Sequence, residues 1–525
     1  MDKFYITTAI DYVNGPPHIG HAYEKIATDT IARHFRQRGF EVYFLTGVDE
    51  HGIKIEKTAH SKGIEPQEFC DLISNEFKKA WELLDISYDR FIRTTEQNHK
   101  KAVQYIFKTL ANKGDIYKAP YSGLYCTGCE CFISARDLTE DGLCPDHKTK
   151  PQEIIEENYF FRLSKYKDRI REHIKNNDSF ILPDYRVNEL LNQLDNVEDI
   201  SVSRSKDSVK WGIPVPNDDS QVIYVWIDAL SNYLTGAGFN SDGILFERFW
   251  PPDVQIIGKD ILKFHAIYWI AMLMALDIPL PKSIFAHGWI TVNDSKMSKS
   301  LGNVISPADI LSENKLDNSD PLRYFLLTTT HFGKDGNYSD EEFKTKVNAD
   351  LANNLGNLLN RSLSMLLKYF NGNIKPEFKT AKEGNELAEL TDLTQKKVIE
   401  EFNLYNVTHA AESIYNLVDR TNKYVNEQSP WTLAKNPETL NQCGQVLYNV
   451  LEVMRILSIL LYPYIPNISR SIWEQLSMSG SLEQQKWDNL AWGGLKEGVI
   501  TEKDRIKPVF LRIDSEFAGS EKKKN

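Results

Sequence analysis

A chain of 525 residues with a net charge of −11, 41% hydrophobic and 26% charged residues has the length for two to four packed domains and an ordinary globular makeup. The acidic balance excludes a surface that is basic everywhere, so any nucleic-acid contact has to be a local patch of lysine and arginine. No stretch of 18 or more apolar residues reads as a membrane span, and Met1-Asp2-Lys3-Phe4 runs into a strand-like segment with no room for a signal peptide.

Taken in chain order, the apolar run 4–10 predicts a buried strand, the spacing over 22–38 a helix closed by Gly39, and 42–46 the next strand. That order is the βαβ unit of a Rossmann-type, doubly wound parallel sheet, which binds ligands at the carboxyl ends of its strands. Helices are expected over 66–84 and 96–113. Residues 1–115 thus form a first α/β half. Residues 116–221 are rich in tyrosine, cysteine and turn residues, with a short strand at 158–163, and read as an insertion. The α/β pattern resumes over 222–340, with strands at 222–226, 255–258 and 284–286 and a helix over 260–275. From 341 to 510 long amphipathic runs (351–367, 407–425, 447–461) predict an α-helical bundle, and 511–525 is a polar tail.

Two segments carry chemistry. Pro17-His18-Ile19-Gly20-His21 opens the first helix, where unpaired backbone N–H groups and the dipole favour an anion. Ring N–H groups of His18 and His21 can bond phosphate oxygens, and Gly20 lets a flat base or a phosphate approach the backbone. Lys296-Met297-Ser298-Lys299-Ser300 lies 275 residues beyond His21, in a loop over 294–303. Lys296 and Lys299 are mobile point charges suited to an anion, and Ser298, Ser300 and Gly302 suit a loop that closes. Alone, the first segment is helix capping and the second a solvated loop. In this order, on a split α/β frame, their co-occurrence argues against chance.

Four of the six cysteines fall within 19 positions. Cys126-x-x-Cys129 and Cys144-x-x-His147 have the spacing of a tetrahedral zinc knuckle; four protein ligands leave no open position, so one structural zinc is expected. Cys131 competes, since Cys129-x-Cys131 could also chelate, and buried reduced cysteines are the bland alternative. With Cys70 and Cys443 isolated, the pattern is that of a reduced cytoplasmic protein.

The two charged segments resemble the HIGH and KMSKS signatures of class I aminoacyl-tRNA synthetases, and the whole chain is similar to the methionyl-tRNA synthetase family, bacterial type with one zinc knuckle. Further matching stretches are Gly47-Val48-Asp49-Glu50-His51-Gly52, Tyr224-Val225-Trp226-Ile227-Asp228-Ala229, Gly258-Lys259-Asp260-Ile261 and Asn426-Glu427-Gln428-Ser429-Pro430-Trp431. The resemblance implies an ATP-dependent ligase that forms methionyl-adenylate and passes methionine to the 3′ end of tRNA(Met), with Mg²⁺ accompanying ATP. It implies ATP contacts from His18, Gly20, His21, Lys296 and Lys299. Asp49 would hold the α-ammonium of L-methionine, and Ile10, Tyr12, Trp226, Tyr233 and His287 would line its side chain. In the bundle Trp431 would stack on an anticodon base, with Asn353, Asn354 and Arg361 adding contacts. Ala9, Asp11 and Ile270 depart from the commoner family residues. The interruption of about 100 residues is too short for the editing insertion of the isoleucine, valine and leucine enzymes. Other class I synthetases, a HIGH-type nucleotidyltransferase and a silent tRNA-binding paralogue remain the rival readings. The sequence ends soon after Arg512 without an appended oligonucleotide-binding domain, a common dimerisation element in the family, so a monomer is expected.

Overall fold

A computed structural model of the chain describes residues 2–127, 131–133, 137–145, 148–241, 243–297 and 303–513. Its centre is a seven-stranded sheet in which every pairing is parallel. The strands are β1 (Lys3–Thr8), β2 (Asp11–Tyr12), β3 (Glu41–Asp49), β4 (Arg90–Arg93), β5 (Ile181–Leu182), β6 (Val254–Gly258) and β7 (Ile284–His287), ordered β2-β3-β1-β6-β7-β5 with β4 also on β3. Ile6 faces Phe44 on one side and Val254 on the other. A parallel sheet is covered on both faces, which is why these strands are apolar runs with little alternation: Phe4, Tyr5 and Ile6 are all buried, as are Ile256, Ile257, Ile284, Phe285 and Ala286. The winding reverses between β1 and β6. Their carboxyl ends therefore open a crevice at Ala9–Ile10 and Gly258.

Helix α1 (Ile19–Gln37) crosses from that crevice to the far side of the domain, buried along most of its length. It is bonded to the C-terminal bundle side by side: Thr30 Oγ1 donates to the Pro463 carbonyl at 3.0 Å, Gln37 Nε2 to that of Ile459 at 2.9 Å, and Arg33 Nη1 to the Tyr462 hydroxyl at 2.9 Å. Asp29 accepts from Arg33 and Arg323, each at 2.7 Å. Burial alone would raise its carboxyl, but the two guanidiniums bring it down to about 2.

The segment expected as an insertion is only partly one. Residues Ile116–Cys126, Cys131–Ile133, Gln152–Phe161 and Ile200–Ser201 form an antiparallel sheet, and Ser203–Ser205, Pro214–Val215 and Asp218–Ile223 a second. Between Gln152–Phe161 and Ile200–Ser201 the chain returns to the parallel sheet, Ile181 of β5 pairing with Ile284 of β7. The apolar run 222–226, expected as a strand of the α/β half, divides. Val222 and Ile223 end the second antiparallel sheet, Tyr224 is extended and bonded to Val202, and a helix starts at Val225.

The bundle contains α2 (Asn357–Phe370), α3 (Glu386–Asn403), α4 (Val407–Gln428), α5 (Leu440–Leu461) and α6 (Pro466–Gln475). α5 has the length and apolarity of a membrane span, but it is buried inside the bundle as its core helix. Its one fully buried ion pair is useful: Arg455 donates to Glu452 at 2.7 and 3.0 Å. Glu452 also accepts from the backbone N–H groups of Gly493, Gly494 and Leu495 at 2.7–2.9 Å, fastening the C-terminal segment.

Candidate active site

The crevice is a cavity of about 610 Å³. His18, Gly20, His21, Lys296, Ile10, Tyr12, Asp49, Trp226, Tyr233 and His287 all line it. Lys299 lies outside the described residues. The residues the sequence nominated for ATP and for the amino acid thus meet at one place.

The two histidines form a capping box from imidazoles. His18 is the N-cap of α1; its Nδ1 accepts from the Gly20 N–H at 3.1 Å, and His21 Nδ1 accepts from the His18 N–H at 3.2 Å. The rings stack with centroids 3.7 Å apart. With both Nδ1 atoms accepting, the neutral rings carry their protons on Nε2, so the helix start offers ring donors beside its backbone donors. A Cβ on Gly20 would meet His18 Cε1 at 3.0 Å and Met297 Cε at 3.3 Å. Glycine therefore permits the close apposition of the helix start and the lysine loop.

Trp226 stacks flat on Phe264, centroids 3.7 Å apart at 5°. Tyr233 bonds His265 Nε2 at 2.7 Å, and His265 Nδ1 meets the Ile261 carbonyl at 3.0 Å. A carbonyl can only accept, so Nδ1 donates and Nε2 receives the tyrosine proton. Burial lowers the His265 imidazole to about 4, which keeps it neutral. His287 is engaged elsewhere: its Nε2 faces Glu24 at 3.0 Å and its Nδ1 the Gly288 carbonyl at 2.7 Å. Burial pushes the Glu24 carboxyl up, but Lys25 and His287 outweigh it and hold Glu24 below its usual range. Asp11, one of the departures from the family pattern, is the second carboxylate on Lys25, at 2.6 Å.

Glu24, Asp260, Phe264, His265 and Trp289 line the cavity without having been singled out. His265 carried a usable signal, since it lies one helical turn beyond Ile261 in a stretch already matched. Behind the cavity Asp228 accepts from His51 at 2.6 Å and His99 at 2.7 Å, tying the end of β3, which carries Asp49, to the helix that carries Trp226.

Of the knuckle, Cys126 and Cys144 are described and buried; Cys129 and His147 lie outside the described residues. Cys126 ends a strand with Sγ 3.9 Å from Thr149 Oγ1, and the Cys144 N–H donates to the Thr149 carbonyl at 2.8 Å. Both halves converge on Thr149, and two buried thiols there suit a thiophilic ion. Among the described residues alone no group of three donors is assembled.

In the bundle, Trp431 is 39% exposed in the short helix Pro430–Leu433, so it is not a core tryptophan. Arg361 donates to Asn426 at 3.2 Å and to the Asn422 side chain at 3.2 Å. Asn422 in turn donates to Asn354 at 2.6 Å, while Asn353 is exposed.

Comparison with known proteins agrees along the whole length. The family described as tRNA synthetases class I (M) matches residues 4–155 and 144–363, and the anticodon-binding domain of tRNA ligase matches 385–509. The methionine–tRNA ligase of Clostridium acetobutylicum is 44% identical over 516 residues, 98% of this chain and 78% of that protein. That of Thermotoga maritima is 41% identical over 519 residues, 98% of this chain and 81% of that protein. Among solved structures, Mycobacterium tuberculosis methionyl-tRNA synthetase in complex with methionyl-adenylate superposes with a TM-score of 0.92 at 39% identity, covering 98% of this chain and 100% of that one.

Proposed function

The chain belongs to the methionyl-tRNA synthetases, class I ATP-dependent ligases that join methionine to tRNA, and we propose how its residues divide that work. The methionine carboxylate is ionised at neutral pH, so no general base is required. One of its oxygens attacks the α-phosphorus of ATP, the bond to the bridging oxygen breaks, and pyrophosphate leaves with the electron pair. The terminal ribose hydroxyl of the tRNA then attacks the adenylate carbonyl, the carbonyl–phosphate bond breaks, and AMP departs with the electron pair, its phosphate taking the hydroxyl proton. Alignment and neutralisation of moving charge are the whole task.

His18 and His21 donate Nε2–H to phosphate oxygens beside the α1 backbone N–H groups, and Lys296 and Lys299 neutralise the leaving pyrophosphate. Asp49 holds the α-ammonium; Ile10, Tyr12 and Trp226 enclose the side chain. The neutral Tyr233–His265 pair is the polar group nearest the thioether, where a charge would be desolvated without reward. His287 holds Glu24 in place. Mg²⁺ travels with ATP. One zinc, held by Cys126, Cys129, Cys144 and His147 with Cys131 as the competing ligand, braces the insertion and takes no part in the chemistry. Trp431, Asn353, Asn354 and Arg361 receive the anticodon of tRNA(Met). The enzyme acts as a monomer in the cytoplasm.

The observation that supports this reading is the convergence of ten nominated residues on one cavity. Amino-acid-dependent ATP–pyrophosphate exchange tests it: methionine alone among the twenty should support rapid exchange. Preference for another amino acid would assign a different class I enzyme, and no exchange with any would leave a silent tRNA binder or a nucleotidyltransferase. For the knuckle, metal analysis should find about one zinc per chain, lost in Cys126→Ala and Cys144→Ala. Loss in Cys131→Ala but not in Cys129→Ala would replace the ligand set.

A further inference from the structure

Trp289 follows β7 and lines the cavity. Two ammonium groups share its ring: Lys296 Nζ is 3.9 Å from the centroid and Lys259 Nζ is 4.2 Å away. Their circumstances differ. Lys259 is neutralised by Asp335, with Nζ 2.6 and 2.7 Å from the two carboxylate oxygens. Among the described residues no carboxylate lies within ion-pair distance of Lys296, so the ring face is its electrostatic partner.

The indole is a fixed surface. Its backbone N–H donates to Asp335 at 2.9 Å, its carbonyl accepts from Gly336 at 2.8 Å, and Nε1–H donates to Asp260 at 3.2 Å. Next to it, a Cβ on Gly288 would lie 2.2 Å from the Lys334 carbonyl oxygen, so only glycine allows the two backbones to come this close. A lysine otherwise has one of the most mobile side chains, and ordering it during the reaction would slow the step.

We propose that Trp289 is a positioning residue for adenylation. Its ring holds the Lys296 ammonium inside the cavity before ATP arrives, so the charge passes to pyrophosphate oxygens already in place. This rests on the reading that Lys296 neutralises pyrophosphate, and its test separates the two. Single-turnover methionyl-adenylate formation is measured for the full chain, Trp289→Leu, Trp289→Phe, Lys296→Ala and the Trp289→Leu/Lys296→Ala double variant, with melting temperatures alongside. Lys296 is exposed at the cavity mouth, so removing the ring should slow the step roughly 2- to 5-fold, the range of a cation–π contact at an exposed site. Phenylalanine, which keeps a ring face but not the bond to Asp260, should stay measurably faster than Trp289→Leu and near wild type. In the double variant the leucine should add nothing to the loss from Lys296→Ala. An undiminished rate in Trp289→Leu would overturn the inference while Lys296→Ala remains slow. Full additivity in the double variant would also overturn it, because the ring would then act on the nucleotide directly. A folded Trp289→Phe as slow as Trp289→Leu would assign the effect to Asp260 instead. An undiminished rate in Lys296→Ala would remove the reading beneath it.

Discussion

His18 and His21 show how one side chain serves fold and chemistry together. Each uses Nδ1 to cap α1, and that bond leaves Nε2–H as the donor, so the geometry that starts the helix also sets the tautomer. Lys299, outside the described residues, is proposed to act by charge alone. Lys299→Ala should lower single-turnover adenylation by on the order of 10²-fold with methionine affinity unchanged, because the charge it meets exists only in the transition state. An unaltered rate would remove it from the site. His265 gives a pH signature. Its imidazole is at about 4 in the fold and near 6.5 when unfolded, so the unfolded chain binds the extra proton between those values. Its contribution is complete above pH 6.5 and is lost as pH falls towards 4. The fall in melting temperature across that window should be shallower in His265→Gln than in wild type; parallel curves would show that His265 is not held neutral.

Among elements, α1 joins the two halves of the molecule: its first turn carries His18 and His21, and its later turns bond Ile459, Tyr462 and Pro463. The strands and helices that build the crevice were legible because burial on both faces leaves a continuous apolar run and burial on one face leaves a period. The run 222–226 was not, because a short apolar segment has the same composition whether it ends a strand or starts a helix; here it does both. Two-residue β5, bounded by Pro183, has no period to read, and neither has the helix Ile53–Ser61 with only Ile55 and Ala59 buried. His265 went unmarked because its role comes from a partner 32 residues away. In α5, Glu452 carries the C-terminal segment. Glu452→Gln leaves Arg455 buried without its counter-charge, held only by the Asn489 and Ala491 carbonyls, so the bundle should lose about 3 kcal/mol in denaturant unfolding. A change below 1 kcal/mol would mean that the pair is solvated or dispensable.

At the scale of the whole molecule, the parallel sheet and the bundle hold separate sites. The cavity closes over residues from 9 to 297, whereas Trp431 and the Arg361–Asn422–Asn354 chain stand on the bundle. Both families of residues were nominated by sequence, but only folding reveals that α1 is bonded to the bundle while its start lines the cavity. Division of labour between these halves is tested most directly by Trp431→Ala, comparing methionine-dependent pyrophosphate exchange with charging of tRNA(Met) in a variant whose melting temperature is also measured. Loss of one stacked base should slow charging roughly 5- to 150-fold and leave exchange within about twofold of wild type. Equal losses in both assays, with a lowered melting temperature, would contradict the assignment and make Trp431 a residue of the fold.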